Sequence, residues 1–319
     1  MTAKSNIPLT MRAAVIDRYG GPDRIRIREI PVPRPSANEV LIRIDTAGVG
    51  TWDIYVRTGD IKTGRGFPVV LGTDGSGVVA DVGSRVTRFK RGDRVYSYAF
   101  GGGFYAEYVA VAEKSVGRVP KVLDLQRAGA LSVLGLTALQ GVDDALMLKR
   151  GESVIVHGAS GNVGMFAVQF AKWRGARVLA TASGRDGVSF VRRLGIDNVI
   201  DGKKDDVALA ARDLTPDGVD AVIAFAGGEE LRRCIDTLRK GGRVVYPNGI
   251  EPEPRKRKHI RIESYNVVTS PQKFAALNRA IVGSKLKVPV EKSLPLERAA
   301  DAHRRVERGH LLGRIVLRP

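Results

Sequence analysis

The chain has 319 residues, 43% hydrophobic and 27% charged, which is the balance of a soluble globular protein with room for about two domains. Its formal net charge is +18, but the basic residues are scattered between apolar ones and only 6% of residues are aromatic, too few for an obvious single-strand stacking platform. The single cysteine, Cys234, excludes an internal disulfide, no Cys/His cluster has zinc spacing, and neither a membrane-length apolar run nor a secretory leader is evident. A cytoplasmic protein is the expectation.

From residue 11 to about residue 130 the text is β-rich. The runs RAAVIDRYGG, EVLIRIDTAGVG, GSGVVADVG and GDRVYSY place valine and isoleucine between Gly and Pro turns. After Val133, LGLTALQGVDDAL has helical spacing. From Ser153 strands and helices alternate: SVIVHG, VGMFAVQFAKWRG, RVLATA, DGVSFVRRLG, NVID, DVALAARDL, AVIAFAG, EELRRCIDTLRKGG and RVVYPNG. That alternation predicts a doubly wound parallel sheet with helices on both faces, giving an α/β fold class. In this reading Cys234 is a structural residue of a half-buried helix. The basic cluster Arg255, Lys256, Arg257, Lys258 and Arg261 reads either as a solvated loop or as a contact for phosphates. The tail from about Ser284 turns β-type again, ending in GRIVLRP, and is expected to rejoin the first domain.

The stretch IVHGASGNVG, residues 155–164, carries the chemistry. Gly158, Gly161 and Gly164 form a turn between the first strand of the alternation and its helix, where backbone can approach a pyrophosphate and the helix N-terminus can stabilise its charge. The spacing is GxxGxxG, and no lysine follows Gly164, so a nucleotide-triphosphate loop is excluded. At the end of the second strand an NAD site usually carries an acid for the ribose 2′-hydroxyl. Here ATASGRD places Ser183 and Arg185, which suit a 2′-phosphate, so NADP(H) is the expected cofactor, with Asp186 one residue further on.

The segments GASGNVG, GLTALQGV, GTDGSGVVADVG and LLGRIVLRP together resemble the zinc-free quinone oxidoreductase branch of the medium-chain dehydrogenase/reductase (MDR) superfamily, over about residues 11–319. The resemblance implies a GroES-like catalytic domain of residues 11–131 and 272–319, a Rossmann domain of residues 132–271, and an active site in the cleft between them. Zinc-dependent members carry a cysteine and a histidine where this chain has Gly50 and Thr73, and neither residue can replace a thiolate or an imidazole. Metal is therefore not expected, and a conjugated acceptor suits the site better than a simple carbonyl. By the same resemblance Tyr55 lines the substrate pocket and is the candidate catalytic donor, and Thr137 sits near the nicotinamide. Ser160, Gly161, Val163 and Gly164 hold the pyrophosphate, while Ala226, Gly227, Asn248 and Gly249 border the cofactor. Gly202 replaces a tyrosine near the 2′-phosphate, with Lys203 and Lys204 close by, and His157, Trp52 and Asp53 are read as structural. Gly50 and Ile61 replace a pocket asparagine and a second tyrosine, which favours an enone or alkenal as much as a quinone. The implied function is hydride transfer from NADPH to such an acceptor by a homodimer. The alternatives are nucleic-acid binding, expected to be weak and non-specific, and a crystallin-like structural use of the fold.

Overall fold

The computed structural model describes residues 7–319. The first half forms β1 (Thr10–Ile16), β2 (Arg26–Pro31), β3 (Glu39–Val49), α1 (Thr51–Thr58), β4 (Val69–Val70), β5 (Asp74–Val82), β6 (Arg94–Tyr98), β7 (Tyr108–Ala112) and β8 (Val116–Arg118). The strand β3 organises this half. It is long, buried along most of its length, and pairs antiparallel with both β5 and β7. Branched residues fill the core it covers, among them Val40, Ile42, Val79 and Val109.

Helix α2 (Leu125–Gln140) follows, capped by Asp124, whose side chain accepts from the Arg127 amide. From Ala128 to Gln140 every residue is buried, because α2 packs on β3, β5 and β6 and also on a helix of the second half. A helix apolar all round is what a position between two layers requires. A single wide turn, Gly141–Ala145, ends it.

The second half alternates as the sequence implies: β9 (Ser153–His157), α3 (Gly164–Trp173), β10 (Arg177–Ala182), α4 (Gly184–Arg193), β11 (Val199–Asp201), α5 (Val207–Leu214), β12 (Val219–Ala224), α6 (Glu229–Asp236), β13 (Leu238–Pro247) and β14 (Arg261–Tyr265). These strands form one six-stranded parallel sheet in the order β11-β10-β9-β12-β13-β14, the doubly wound order with its reversal beside β9. All five residues of β9 are buried, as a central parallel strand demands.

The chain then forms α7 (Pro271–Gly283), β15 (Val290–Pro295), α8 (Ala299–Glu307) and β16 (Arg314–Arg318). The tail does return to the first half: β16 pairs with β3, joining Val316 to Gly48 and Leu317 to Ala47. The fold is thus α/β, a GroES-like β-rich unit joined to a Rossmann-type sheet. Among the described residues no helix is long and apolar enough to cross a membrane.

Two elements differ from the sequence expectation. The helix expected through Gly242 stops at Asp236, and Leu238–Gly242 enters β13 instead. Parallel pairing overrides helical propensity here: Leu238 sits opposite Val219, the Val219 amide donates to Thr237 O, and Gly241 turns the chain with a φ of +79°. Strand β14 was not expected at all. Its RIESY text is a polar edge strand, half-exposed along its length, so hydrophobic periodicity is silent. Cys234 is buried on α6, with burial pushing its thiol up to about 12. In the basic cluster Arg257 pairs with Asp236, Arg261 donates to Ala145 O at 2.7 Å, and Arg255, Lys256 and Lys258 are exposed.

Helix α7 closes the seam between the halves. Its Phe274 is buried edge-to-face on Tyr96 of β6, with ring centroids 5.3 Å apart, and touches the α2 cluster. Phe274→Ala should lower unfolding free energy by about 3–5 kcal/mol in urea titrations. A loss below about 1 kcal/mol would show that this seam does not hold the halves together.

Candidate active site

The site begins at the end of β3. Gly50 is the N-cap of α1, and Asp53 reaches back to accept from the Gly50 amide at 2.8 Å, as the third residue of a capping box does. Tyr105 donates to the same Asp53 oxygen at 3.1 Å, while the other oxygen is buried without a partner. Helix α1 thereby holds Trp52 and Tyr55 over a cleft, ring against ring at 5.8 Å.

Behind Gly50 lies a buried ion pair. Arg314, from the returning strand β16, donates from Nη2 to Asp74 Oδ1 at 2.9 Å, with the two side chains 2% and 0% exposed. The other Asp74 oxygen accepts from the Val133 amide of α2 at 3.2 Å. Gly48 and Gly50 leave room for this pair: a Cβ on Gly48 would stand 2.7 Å from Nη2, and one on Gly50 would stand 3.3 Å from Nη2 and 3.4 Å from Nη1. Burial, then the Asp74 carboxylate, push the Asp53 carboxyl up to about 7, against the pull of Arg314 and the bonds from Gly50 and Tyr105. Asp74 is likewise raised by burial and held down by Arg314.

Across the cleft, the glycine turn opens α3. Gly158 has a φ of +77°, a Cβ on Gly164 would collide with the Gly158 carbonyl, and among the described residues no acceptor takes the amides of Ser160, Val163 or Gly164. Free amides at a helix N-terminus with no side chain in the way form a cradle that fits a pyrophosphate. The residues present therefore fit a dinucleotide. Ser160 lies against the start of α4, where a Cβ on Gly187 would be 3.3 Å from its Oγ. That brings the turn beside Ser183, the N-cap of α4, and exposed Arg185. Asp186 is engaged elsewhere, by His310 Nε2 at 2.7 Å and the Gly187 amide at 2.9 Å. Gly202 follows β11 and donates to Ala182 O at 2.9 Å, leaving Lys203 and Lys204 exposed at the same sheet edge. His157 is buried against Thr181 Oγ1 at 2.8 Å, and burial lowers it to about 4.

A cavity of about 420 Å³ lies where the two halves meet. It gathers Tyr55, Thr137, Val163, Asn248 and Gly249 from the sequence-predicted set. Ser160, Gly161, Gly164, Ser183, Arg185, Ala226 and Gly227 are outside it, along the carboxyl edge of the Rossmann sheet. Ala226 stands beside Gly158, and Gly227 backs onto the carbonyls of Glu251 and Pro252. Thr137 both borders the cavity and bonds its own helix, donating to Val133 O at 2.8 Å. Gly50 and Thr73 also line the cavity, and neither offers a thiolate or an imidazole, so the donor set does not fit zinc. Sequence reasoning missed Arg314, Tyr98, Tyr265 and Asn162 as lining residues. Arg314 precedes the apolar run IVL of RIVLR, a weak signal that Arg318 at the other end shares, and only the returning topology puts it at the cleft.

The chain matches the family descriptions "Alcohol dehydrogenase GroES-like domain" over residues 36–121 and "Zinc-binding dehydrogenase" over residues 194–317. It is 32% identical to the quinone oxidoreductase of Mus musculus over 94% of this chain and 95% of that protein. It is 33% identical to the chloroplastic NADPH-dependent alkenal/one oxidoreductase of Arabidopsis thaliana, over 100% of this chain and 82% of that protein. The solved structure of a mycobacterial protein complexed with NADPH superimposes with a TM-score of 0.84 at 29% identity, covering 97% of this chain and 100% of that one.

The raised Asp53 carboxyl has a consequence for stability. An ordinary carboxyl in the unfolded chain titrates near about 4, so the folded state keeps its proton up to about 7 while the unfolded state loses it earlier. Asp53 thus stabilises fully below about pH 4, and this contribution fades as pH rises through 7, at about 1.4 kcal/mol per unit across that window. Asp53→Asn keeps an acceptor for Gly50 and Tyr105 without the charge. Its unfolding free energy should fall less steeply than wild type between pH 4 and 7, and should match or exceed wild type at pH 8. Parallel pH profiles for the two proteins would contradict the assignment.

Proposed function

The chain belongs to the quinone oxidoreductase family of the medium-chain dehydrogenases and reductases, and from that premise we propose that it reduces a quinone or an activated alkene, an enone or alkenal, with hydride from NADPH. The observation that carries this reading is the adjacency of the glycine turn and the cavity. Val163 belongs to both, so a dinucleotide laid on the turn ends beside Thr137, Asn248 and Tyr55. Bound NADPH would supply a hydride, which carries both electrons of the reduction; the chain supplies position. The free amides of the turn bind the pyrophosphate, and Ser183 and Arg185, with Lys203 and Lys204 near, suit the 2′-phosphate. Ala226, Gly227, Asn248 and Gly249 form the sheet edge beneath. The Tyr55 hydroxyl offers a hydrogen bond to the acceptor, and the largely apolar cleft keeps water from the reacting atoms.

Gly50 and Thr73 remove the ligands through which zinc would polarise a carbonyl, so the reading is zinc-free. A conjugated acceptor tolerates that loss because the charge it receives spreads over several atoms. The expected division, residues 11–131 with 272–319 against residues 132–271, remains part of the proposal, with its first boundary inside α2. We also read the protein as a cytoplasmic homodimer. Its +18 charge gives at most weak, sequence-independent contact with nucleic acid, lost steeply as salt rises.

Two measurements test the reading. A panel of quinones, enones and alkenals, with NADPH oxidation followed optically, should reveal turnover on at least one acceptor, unaffected by a chelator; silence across the panel would defeat it. Arg185→Ala should weaken NADPH by about 1–3 kcal/mol and leave NADH nearly unchanged, as loss of one charge-assisted bond requires. Equal affinity of the wild-type protein for both cofactors would refute the 2′-phosphate assignment.

A further inference from the structure

Arg314 is poorly explained as a purely structural residue. Its side chain makes one hydrogen bond, from Nη2 to Asp74; its Nε is buried without any partner, and Nη1 donates to no acceptor among the described residues. Idle donors on a guanidinium only 2% exposed are costly unless something else uses them. The same side chain borders the cavity, together with Gly50, Thr73, Tyr55 and Thr137. Gly50, which also lines the cavity, puts no side chain over the guanidinium, and even a methyl group there would lie within 3.4 Å of both Nη1 and Nη2. Thus the position that could have carried a metal ligand is empty of side chain, and a fixed cation stands directly behind it.

We infer that Arg314 is a catalytic residue, whose guanidinium reaches past Gly50 to donate a hydrogen bond to the acceptor's carbonyl oxygen and stabilise the negative charge that forms there. The inference deepens the reductase reading and rests on it. The acceptor takes a hydride from bound NADPH at its β-carbon. The alkene pair then moves to join the α-carbon to the carbonyl carbon, and the carbonyl pair moves onto oxygen, giving an enolate. Arg314 holds this oxyanion; a proton from water then reaches the α-carbon, leaving the saturated carbonyl compound and NADP⁺. For a quinone the same oxyanion is that of the hydroquinone monoanion. The Asp74 carboxylate orients the guanidinium by occupying Nη2, which leaves Nη1 for the acceptor. A donor already fixed by a buried ion pair needs no reorganisation as charge develops, the condition under which one such bond matters most.

The test uses the NADP⁺-loaded protein and 4-nitrophenol, whose anion imitates the enolate and absorbs where the neutral dye does not. Wild type should bind the dye as phenolate, ionising it at lower pH than in free solution. Arg314→Met combined with Asp74→Asn removes both buried charges together, so no carboxylate is stranded. It should abolish the shift, keep NADPH affinity, and reduce enone turnover by roughly a hundredfold, the scale of one lost oxyanion donor. Arg314→Lys should recover part of both. If the double variant does not fold, Gly50→Ala leaves the ion pair intact and places a methyl over the guanidinium, and should lose the phenolate shift and at least about tenfold in turnover. An unchanged phenolate shift in the folded variants, failure of wild type to bind the dye as phenolate, or turnover within about threefold of wild type would each overturn the role of Arg314 while the reductase reading stands. Absence of wild-type turnover on every acceptor would instead remove the reading on which it rests.

Discussion

The Asp74 carboxylate is the constraint on which the cleft depends. One oxygen accepts from Arg314 on β16 and the other from Val133 on α2, while Asp74 itself opens β5. Three segments far apart in sequence therefore converge on one fully buried group. A buried ion pair of this kind adds little net stability, since desolvation offsets much of its attraction, but losing either partner strands a charge. What it supplies is register: the returning tail must dock so that Arg314 meets Asp74. That docking puts Gly50 and α1 in the wall of the cavity.

From that point the rest of the site follows by packing. Helix α2 lies between the β-rich unit and the Rossmann sheet and is buried along its last thirteen positions, Ala128 to Gln140. It carries Thr137 to the wall of the cavity that Val163 of the glycine turn also borders. The sheet order reverses beside β9, so the turn after β9 and the ends of β12 and β13 share one edge, where a dinucleotide has both a cradle of free amides and an open path to the cleft. Gly249 closes the circuit across the cleft, since a Cβ there would stand 3.3 Å from the Trp52 ring. The cavity thus takes its walls from both halves and does not exist without their seam.

The parts legible in sequence were those with a local cause. The glycine turn, the strand–helix alternation, Ser183 and Arg185 after β10, and the return of GRIVLRP to the first unit each depend on a few neighbouring residues, and each is found where its pattern placed it. The parts that were not legible depend on distant partners. Leu238–Gly242 reads as helix until Val219 offers a parallel strand, and RIESY shows no strand periodicity until β13 pairs with it. Asp53 looked structural and is, yet its proton is set by burial and by Asp74, 21 residues on in sequence and visible only in space. Arg314 was part of a recognised ending, but nothing in its neighbourhood announces that it borders a cavity.

With its pyrophosphate on the glycine turn, NADPH should pass hydride directly from a nicotinamide in the cleft to an acceptor beside it. Turnover of an enone with NADPH deuterated at C4, once on each face, tests it most directly, with the product read by mass spectrometry. The account predicts that one of the two labelled cofactors delivers a single deuterium to the β-carbon and the other delivers none. A product carrying no deuterium from either face would contradict it.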